Sequence, residues 1–229
     1  MIENYNLSSV EERKIAAHDG IEKKEILDEA AEMLKGASRK KRQQAASVFC
    51  FVCKENVEVA KDYADDIADA INRPEDQTRW NTLNSLDLLG KAGLHFDESI
   101  LEAAEDAMYD EDSGVLRQTA FQFFCGYASA SSENSEKAWP LIDEAIQCYH
   151  GNQEFSAMLT SLVELAQSEN ISDNALQRLA SRMKFDAESA SGTLGMRSQQ
   201  IVDALKARKL DFIELAPKVQ RKSDAEEEE

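Results

Sequence analysis

The sequence predicts an all-α protein, a right-handed α-α superhelix of stacked helix pairs with about eleven helices. Three observations predict this fold class. The 229 residues include only 9 glycines and 3 prolines, which leaves little material for the turns that an all-β chain needs. Apolar residues recur at helical spacing along most of the chain. The helical pattern itself recurs roughly every 38 residues, and such a period indicates tandem structural repeats.

The first helix of each repeat is marked by apolar residues four, seven and ten positions after Arg42, Arg79, Arg117 and Phe155. Because an α-helix has about 3.6 residues per turn, these offsets fall on one face. The twelve residues on this face are Ala46, Phe49, Val52, Leu83, Leu86, Leu89, Phe121, Phe124, Tyr127, Leu159, Leu162 and Leu165. We therefore expect this face to be buried in every repeat.

A second apolar stripe follows in each repeat and predicts the second helix. Its members are Tyr63, Ile67, Ala70, Ile100, Ala104, Ala107, Ala138, Ile142, Ala145, Leu176, Ala180 and Met183. Asp97, Ser113 and Ser172 stand just ahead of apolar runs, where a side-chain oxygen can accept from the backbone amides of a first helical turn. These three residues are predicted helix N-caps.

The same pattern extends beyond these four repeats at both ends. Upstream, a weaker first helix is predicted over residues 8–19 with Val10 and Ile15 facing inward. Downstream, residues 187–195 look irregular, and a helix with Ile201, Val202 and Leu205 closes the stack. The predicted single domain spans residues 1–208, with units at about 5–36, 37–74, 75–112, 113–151 and 152–186 and a capping helix at 196–208. Residues 209–229 form a C-terminal segment that ends in an acidic tail, 223–229.

The paired helices and their period resemble the HEAT and armadillo-like helical repeat families, whose units contain two or three helices. The resemblance covers roughly residues 8–208. It implies an α-solenoid, because each helix pair exposes an apolar stripe that only a neighbouring pair can cover. It also implies that the second helices line a concave groove that holds a protein or peptide partner.

Charge distribution gives the main indication of what such a groove would bind. With 44 acidic and 26 basic residues the formal net charge is −18, which makes nucleic acid and anionic lipid unlikely partners. Residues 55–112 carry 17 acidic and 4 basic residues, whereas residues 175–222 carry 10 basic and 5 acidic ones. The candidate partner-binding residues on the second helices are Asp62, Asp65, Asp69, Glu102, Glu105, Asp106 and Glu144.

Two interpretations of these acidic residues stay open. Equivalent positions in stacked units form rows across the surface, and such rows would select a basic protein or peptide. Alternatively, they are the ordinary solvated face of an acidic protein.

The sequence offers no set of residues that predicts catalysis or a metal site. Cys50 and Cys53 have the spacing of a metal or redox pair, and Cys148 with His150 could complete a zinc site. However, the repeat places Cys50 and Cys125 two units apart. The ligands of one zinc ion must all lie about 2.0 to 2.3 Å from that ion, so these cysteines cannot share a site. We therefore expect ordinary buried thiols, no disulfide, no metal and no cofactor. The Gly-x-Ser-x-Gly and phosphate-loop motifs are not found.

The predicted function is a non-catalytic scaffold or adaptor that binds a protein or peptide. One alternative is an enzyme built on a HEAT-like solenoid, such as a DNA-repair glycosylase, which would need a basic groove for phosphates. Another is a client-specific chaperone or lyase. With no export signal and no long apolar run, a cytoplasmic protein without a membrane segment is expected. The oligomeric state is not predicted.

Overall fold

The computed structural model describes residues 1–215, and these residues form twelve α-helices, two 3-10 helices (Ile2–Asn4 and Ala70–Asn72) and no strand. The predicted acidic tail lies outside the described residues. The α-helices are α1 (Val10–Glu22), α2 (Lys24–Lys35), α3 (Arg39–Glu55), α4 (Val57–Lys61), α5 (Ala64–Asp69), α6 (Asp76–Lys91), α7 (Glu98–Met108), α8 (Gly114–Ser129), α9 (Ser132–Tyr149), α10 (Phe155–Gln167), α11 (Asp173–Ser189) and α12 (Gly192–Ala207).

The helices are arranged in two layers. The first-helix layer consists of α1, α3, α6, α8, α10 and α12, and each of these helices packs on the next. The second-helix layer consists of α2, α4 with α5, α7, α9 and α11, which cover the first layer. For example, α2 packs on α3, α7 and α9 pack on α8, and α11 packs on α12. The predicted all-α stack of helix pairs is confirmed.

Both predicted apolar stripes form the core of the stack. All twenty-four residues are buried except Tyr127 and Ile100, which are partly buried and pack against the same core. In the closing helix, Ile201, Val202 and Leu205 are also buried as predicted. Burial of this stripe stabilises the fold by about 1.5 to 3 kcal/mol for each large apolar side chain. The repeat pattern therefore identified the core-facing stripes of these repeats.

The predicted helix starts are confirmed at all three N-caps. The side chain of Asp97 accepts from the amide of Ile100 at 3.2 Å. Ser113 accepts from the amide of Leu116 at 3.3 Å, and the Ser172 hydroxyl accepts from the third amide of α11 at 2.9 Å. Each bond satisfies one backbone donor that has no partner within the helix.

The second helix of the second unit is broken, which makes twelve helices where about eleven were predicted. It divides into α4 and α5 at Asp62 and Tyr63. The break accompanies the burial of Tyr63, whose hydroxyl donates to Asp28 at 2.7 Å. Its ring packs on Phe49 with centroids 5.3 Å apart. These contacts come from distant parts of the chain, so local periodicity did not reveal the break.

The prediction for the first helix was wrong in its bounds and in its buried face. Val10 and Ile15 are 48% and 47% exposed. Helix α1 instead buries Ala16, Ala17 and Gly20. A Cβ added at Gly20 would lie 2.6 Å from a Leu27 methyl carbon, so the small residues let α2 approach α1 closely. The face of α1 that is buried is therefore the one whose small residues let α2 approach, and not the one with the larger apolar side chains.

The predicted irregular stretch over residues 187–195 was also wrong. Helix α11 continues to Ser189 and α12 begins at Gly192, so only two residues separate them. Gly192 adopts a positive φ of 65°, a conformation that glycine tolerates. A Cβ at Gly195 would lie 2.2 Å from the carbonyl oxygen of Ala190. Gly192 and Gly195 thus allow a tight helical hairpin, and the closing helix begins earlier than residue 196.

Successive repeats are joined by a recurring ion pair. Arg42, Arg79 and Arg117 occupy equivalent positions near the starts of α3, α6 and α8, and each pairs with an acidic residue of the following connection. The acidic partners are Glu75, Asp110 and Glu154. All six side chains are at most 19% exposed. The three arginines from which the repeats were aligned in the sequence are therefore also residues that link the repeats.

Candidate protein-binding surface

The seven predicted partner-binding residues all belong to the second-helix layer. Asp62 lies between α4 and α5, and Asp65 and Asp69 lie on α5. Three lie on α7 and one on α9, namely Glu102, Glu105, Asp106 and Glu144. The structure thus distributes the set over three consecutive units, as the repeat pattern predicted.

Four of the seven residues are exposed and have no side-chain partner within residues 1–215: Asp65, Asp69, Glu102 and Asp106. We call these four the acidic surface. They lie on the neighbouring helices α5 and α7, two on each helix and one turn apart. These carboxylates face solvent and are available to bind a cation.

The other three residues of the set are engaged or less exposed. Asp62 is exposed but pairs with Lys24 at 3.3 Å. Glu105 and Glu144 are half-buried and have interactions within the chain. These three are therefore less available to a partner than the acidic surface.

Several neighbouring carboxylates form ion pairs between second helices. The sequence pattern did not predict these pairs. Lys35 of α2 bonds Asp66 of α5 at 2.9 Å, and that hydrogen bond raises the pKa of Lys35. Lys137 of α9 bonds Glu98 of α7 at 2.7 Å. The four carboxylates of the acidic surface, by contrast, form no ion pair within the described part of the chain.

Part of the excess of basic residues over 175–222 is neutralised by a further ion pair between units. Arg182 of α11 donates to both carboxylate oxygens of Asp143 on α9, at 2.7 and 2.9 Å. This two-point geometry is the strongest form of arginine–carboxylate contact. Arg178 is half-buried. The charge of Arg182 therefore joins two units and is not offered to a partner.

The two layers differ in spacing. First helices pack directly on each other along the whole stack, whereas second helices contact each other less and are joined partly by ion pairs between their side chains. At Gly126 of α8, an added Cβ would lie 2.0 Å from a carboxylate oxygen of Asp87 on α6, so these first helices are very close. The expectation that the second helices line a concave groove stays a prediction.

The cysteines do not form a reactive group. Cys50, Cys53 and Cys125 are buried, and Cys148 is exposed, contrary to the expectation that all four are buried. Burial raises the pKa of the Cys53 thiol to about 12 and raises the pKa of the other two buried thiols as well. Within residues 1–215 no group of three or more histidine, cysteine or acidic side chains has an arrangement that could hold a metal ion.

A cavity lies between the ends of α6 and α8 and the start of α9. It has a volume of about 650 Å³ and opens where the turns after α6 and α8 meet the start of α9. Among its lining residues are Lys91, Phe96, Gly126, Tyr127 and Glu133. The sequence reasoning did not find this cavity, because its walls come from three turns with no shared motif.

No protein-family model and no curated protein matches the sequence. Solved structures do match. The designed armadillo repeat protein YIII(Dq)4CqI has a TM-score of 0.61 at 13% identity, over 87% of this chain and 92% of that chain. The designed armadillo repeat protein YIII(Dq.V1)4CPAF, solved in complex with the peptide (KR)4, has a TM-score of 0.63 at 13% identity, over 86% of this chain and 92% of that chain. The chain has an armadillo-like fold.

A third armadillo-like structure extends the comparison over a larger share of the chain. Computationally designed armadillo repeat proteins for modular peptide recognition match with a TM-score of 0.59 at 12% identity, over 89% of this chain and 97% of that chain. At these identities the likeness concerns the fold alone. No helix within the described residues has the length and apolar character to cross a membrane.

Proposed function

We propose that this armadillo-like chain is a non-catalytic scaffold that binds a basic protein or peptide segment on its second-helix layer. The observation that carries the proposal is the acidic surface, in which Asp65, Asp69, Glu102 and Asp106 are exposed and have no partner within residues 1–215. Nearby carboxylates such as Asp66 and Glu98 are already paired with lysines. The acidic surface is thus a group of exposed carboxylates on two neighbouring helices that no lysine or arginine of the described chain pairs with.

Two further points support this function. One structural neighbour was solved with a peptide of alternating lysine and arginine, so an armadillo-like scaffold can receive such a chain. The carboxylates of α5 and α7 also repel phosphate, which disfavours the alternative of a DNA-repair glycosylase. Electrostatic complementarity of this kind sets partner choice and association rate more than affinity.

The binding test uses a fluorescently labelled (Lys-Arg)4 peptide and fluorescence anisotropy. We expect saturable binding at about 50 mM salt and marked weakening at about 500 mM, because salt screens exposed charges. A triple variant, Asp65→Asn with Glu102→Gln and Asp106→Asn, should weaken binding roughly tenfold, since each exposed pair contributes about 0.2 to 1 kcal/mol.

The matched control removes three exposed charges from the other end of the stack. Glu164→Gln, Glu169→Gln and Glu188→Gln change the net charge by the same amount. Binding should fall much less in this control than in the triple variant. Equal losses in both would show that only net charge matters, and an unaffected triple variant would remove the acidic surface from the proposal.

A further inference from the structure

The cavity between the ends of α6 and α8 and the start of α9 is formed by glycines and by the turn after α6. Phe96 folds back from this turn, and a Cβ at Gly90 would lie 2.8 Å from its ring. Gly93 in the same turn adopts a positive φ of 93°. Gly126 forms part of the opposite wall. The volume of about 650 Å³ lies within the range of small-molecule sites, roughly 300 to 1,000 Å³.

A buried carboxylate lies directly behind one wall of this cavity. Asp87 is 4% exposed, and its Oδ1 occupies the space that a side chain at Gly126 would need. Oδ2 accepts from Lys91 at 2.8 Å and from Gln122 at 3.2 Å. Oδ1 has no hydrogen-bond partner within residues 1–215. A buried carboxylate oxygen without a donor is costly, and it lies against the glycine that lines the cavity.

The remaining charges around the cavity favour a cation. The ion pair with Asp87 neutralises Lys91, which is the one lysine in the lining. Glu133 lines the cavity, is exposed and forms no ion pair within the described part of the chain, although it interacts electrostatically with Lys137 one turn on. His95 is the other titratable residue of the lining. Helices α6 and α8 both end at lining residues, and the carboxyl end of a helix carries a partial negative charge.

The N-terminus of α9, which carries a partial positive charge, does not offset this preference for a cation. Its Ser131 hydroxyl accepts from the amide of Asn134 at 3.1 Å, and Glu133 lies in its first turn. The chain's own groups thus occupy the positive end of α9. An anionic ligand would meet Glu133 and two helix carboxyl ends.

We propose that this cavity binds an alkyl cation, an alkylguanidinium or alkylammonium group such as the side chain of arginine or lysine. The aromatic side chains of Tyr127 and Phe96 also line this space, and aromatic rings attract cations that are removed from water. Glu133 supplies the opposite charge. The proposal does not depend on the acidic surface, which lies on α5 and α7.

The test is a titration of the isotopically labelled protein with butylguanidinium, followed by amide NMR. The neutral isostere butylurea and the anion butyrate serve as matched probes. We expect saturable shifts at the amides of Gly93 and Gly126, with affinity for butylguanidinium at least about tenfold above that for butylurea, since hydrogen bonds to charged groups are the stronger ones. Glu133→Gln should weaken binding about threefold or more.

The control variant is Glu169→Gln, which removes an exposed carboxylate outside the lining and should leave the affinity unchanged. A blocked Ala-Arg-Ala tripeptide identifies the source of the cation. Binding at least as tight as that of butylguanidinium indicates a protein side chain, and weaker binding indicates a free small molecule. Shifts that are equal for butylurea, that occur only on α5 and α7, or that do not occur would overturn the proposal.

Discussion

Arg42 of α3 and Glu75, the residue before α6, form an ion pair that joins two repeats and is almost wholly buried, with side chains 11% and 5% exposed. Arg42 also donates to the carbonyl of Gly36 at 2.8 Å. Arg117 repeats this arrangement, with Glu154 at 2.7 Å and the carbonyl of Asp110 at 2.7 Å. Each of these arginines therefore contacts both the loop before its own helix and the loop before the first helix of the next repeat.

Replacement of Arg42 should destabilise the protein strongly. In Arg42→Ala the Glu75 carboxylate stays buried without its partner, and such a change costs about 3 kcal/mol or more. Arg39→Ala, in the exposed first turn of the same helix, should change the free energy of unfolding by less than about 0.5 kcal/mol. Urea denaturation of both variants makes the comparison, and similar losses in the two would contradict a special role for the buried pair.

Acid should remove part of this stabilisation. Hydrogen bonds from Arg42 hold the pKa of Glu75 below its ordinary value of 4.5, and those from Arg117 do the same for Glu154. Because the folded-state pKa is the lower one, the contribution is fully present above about pH 4.5 and is lost as the pH falls through the lowered folded values. The free energy of unfolding, measured between about pH 6 and pH 3, should fall less steeply in a Glu75→Gln, Glu154→Gln variant than in the wild type. Parallel curves would show that these carboxylates are not linked to folding.

Gly126→Ala should test the close approach of α6 and α8. Its methyl group would lie 2.0 Å from Asp87 Oδ1, and such overpacking typically costs about 1 to 3 kcal/mol. Gly114→Ala is the matched control on the same helix, since its nearest neighbour would be 3.5 Å away. It should be neutral or stabilise slightly, because alanine restricts the unfolded chain. Thermal unfolding in which both variants behave alike would argue against this packing.

Thiol reactivity should separate the four cysteines. Cys148 is exposed, whereas burial protects Cys50, Cys53 and Cys125 and raises their pKa values. We expect one thiol to react rapidly with a disulfide reagent in the native protein and four in urea. Cys148→Ser should abolish the rapid phase. Two or more rapid thiols in the native state would contradict the packing of α3 and α8.

The fold could be predicted where the pattern depends on local periodicity alone. The stripe residues of α3, α6, α8 and α10 are buried because a regular helix returns every third or fourth residue to one face. The break at Tyr63 could not be predicted, because its partners Asp28 and Phe49 lie far away in sequence. The α11–α12 hairpin was missed because it depends on a close contact that apolar periodicity does not reveal: Gly195 leaves space for the Ala190 carbonyl.

For the candidate surface, the repeat frame predicted which acidic residues share a layer but not which ones are already paired. Asp65 and Asp66 are adjacent in sequence, yet only Asp66 meets a lysine from another unit. Pair formation across units depends on the rotation and spacing of whole helices, which periodicity does not specify. The recurrence of arginine at 42, 79 and 117 was a visible signal for the buried ion pairs, but it was used only to align the repeats.

The most direct test of the proposed function locates the basic peptide on the protein. A nitroxide-labelled (Lys-Arg)4 peptide broadens the NMR signals of nearby amides, and a diamagnetic peptide gives the reference. The account predicts broadening on α5 and α7 around Asp65, Asp69, Glu102 and Asp106. Broadening centred instead on partly exposed residues of the first-helix layer, such as Asn84 and Gln122, or no broadening at all, would contradict it.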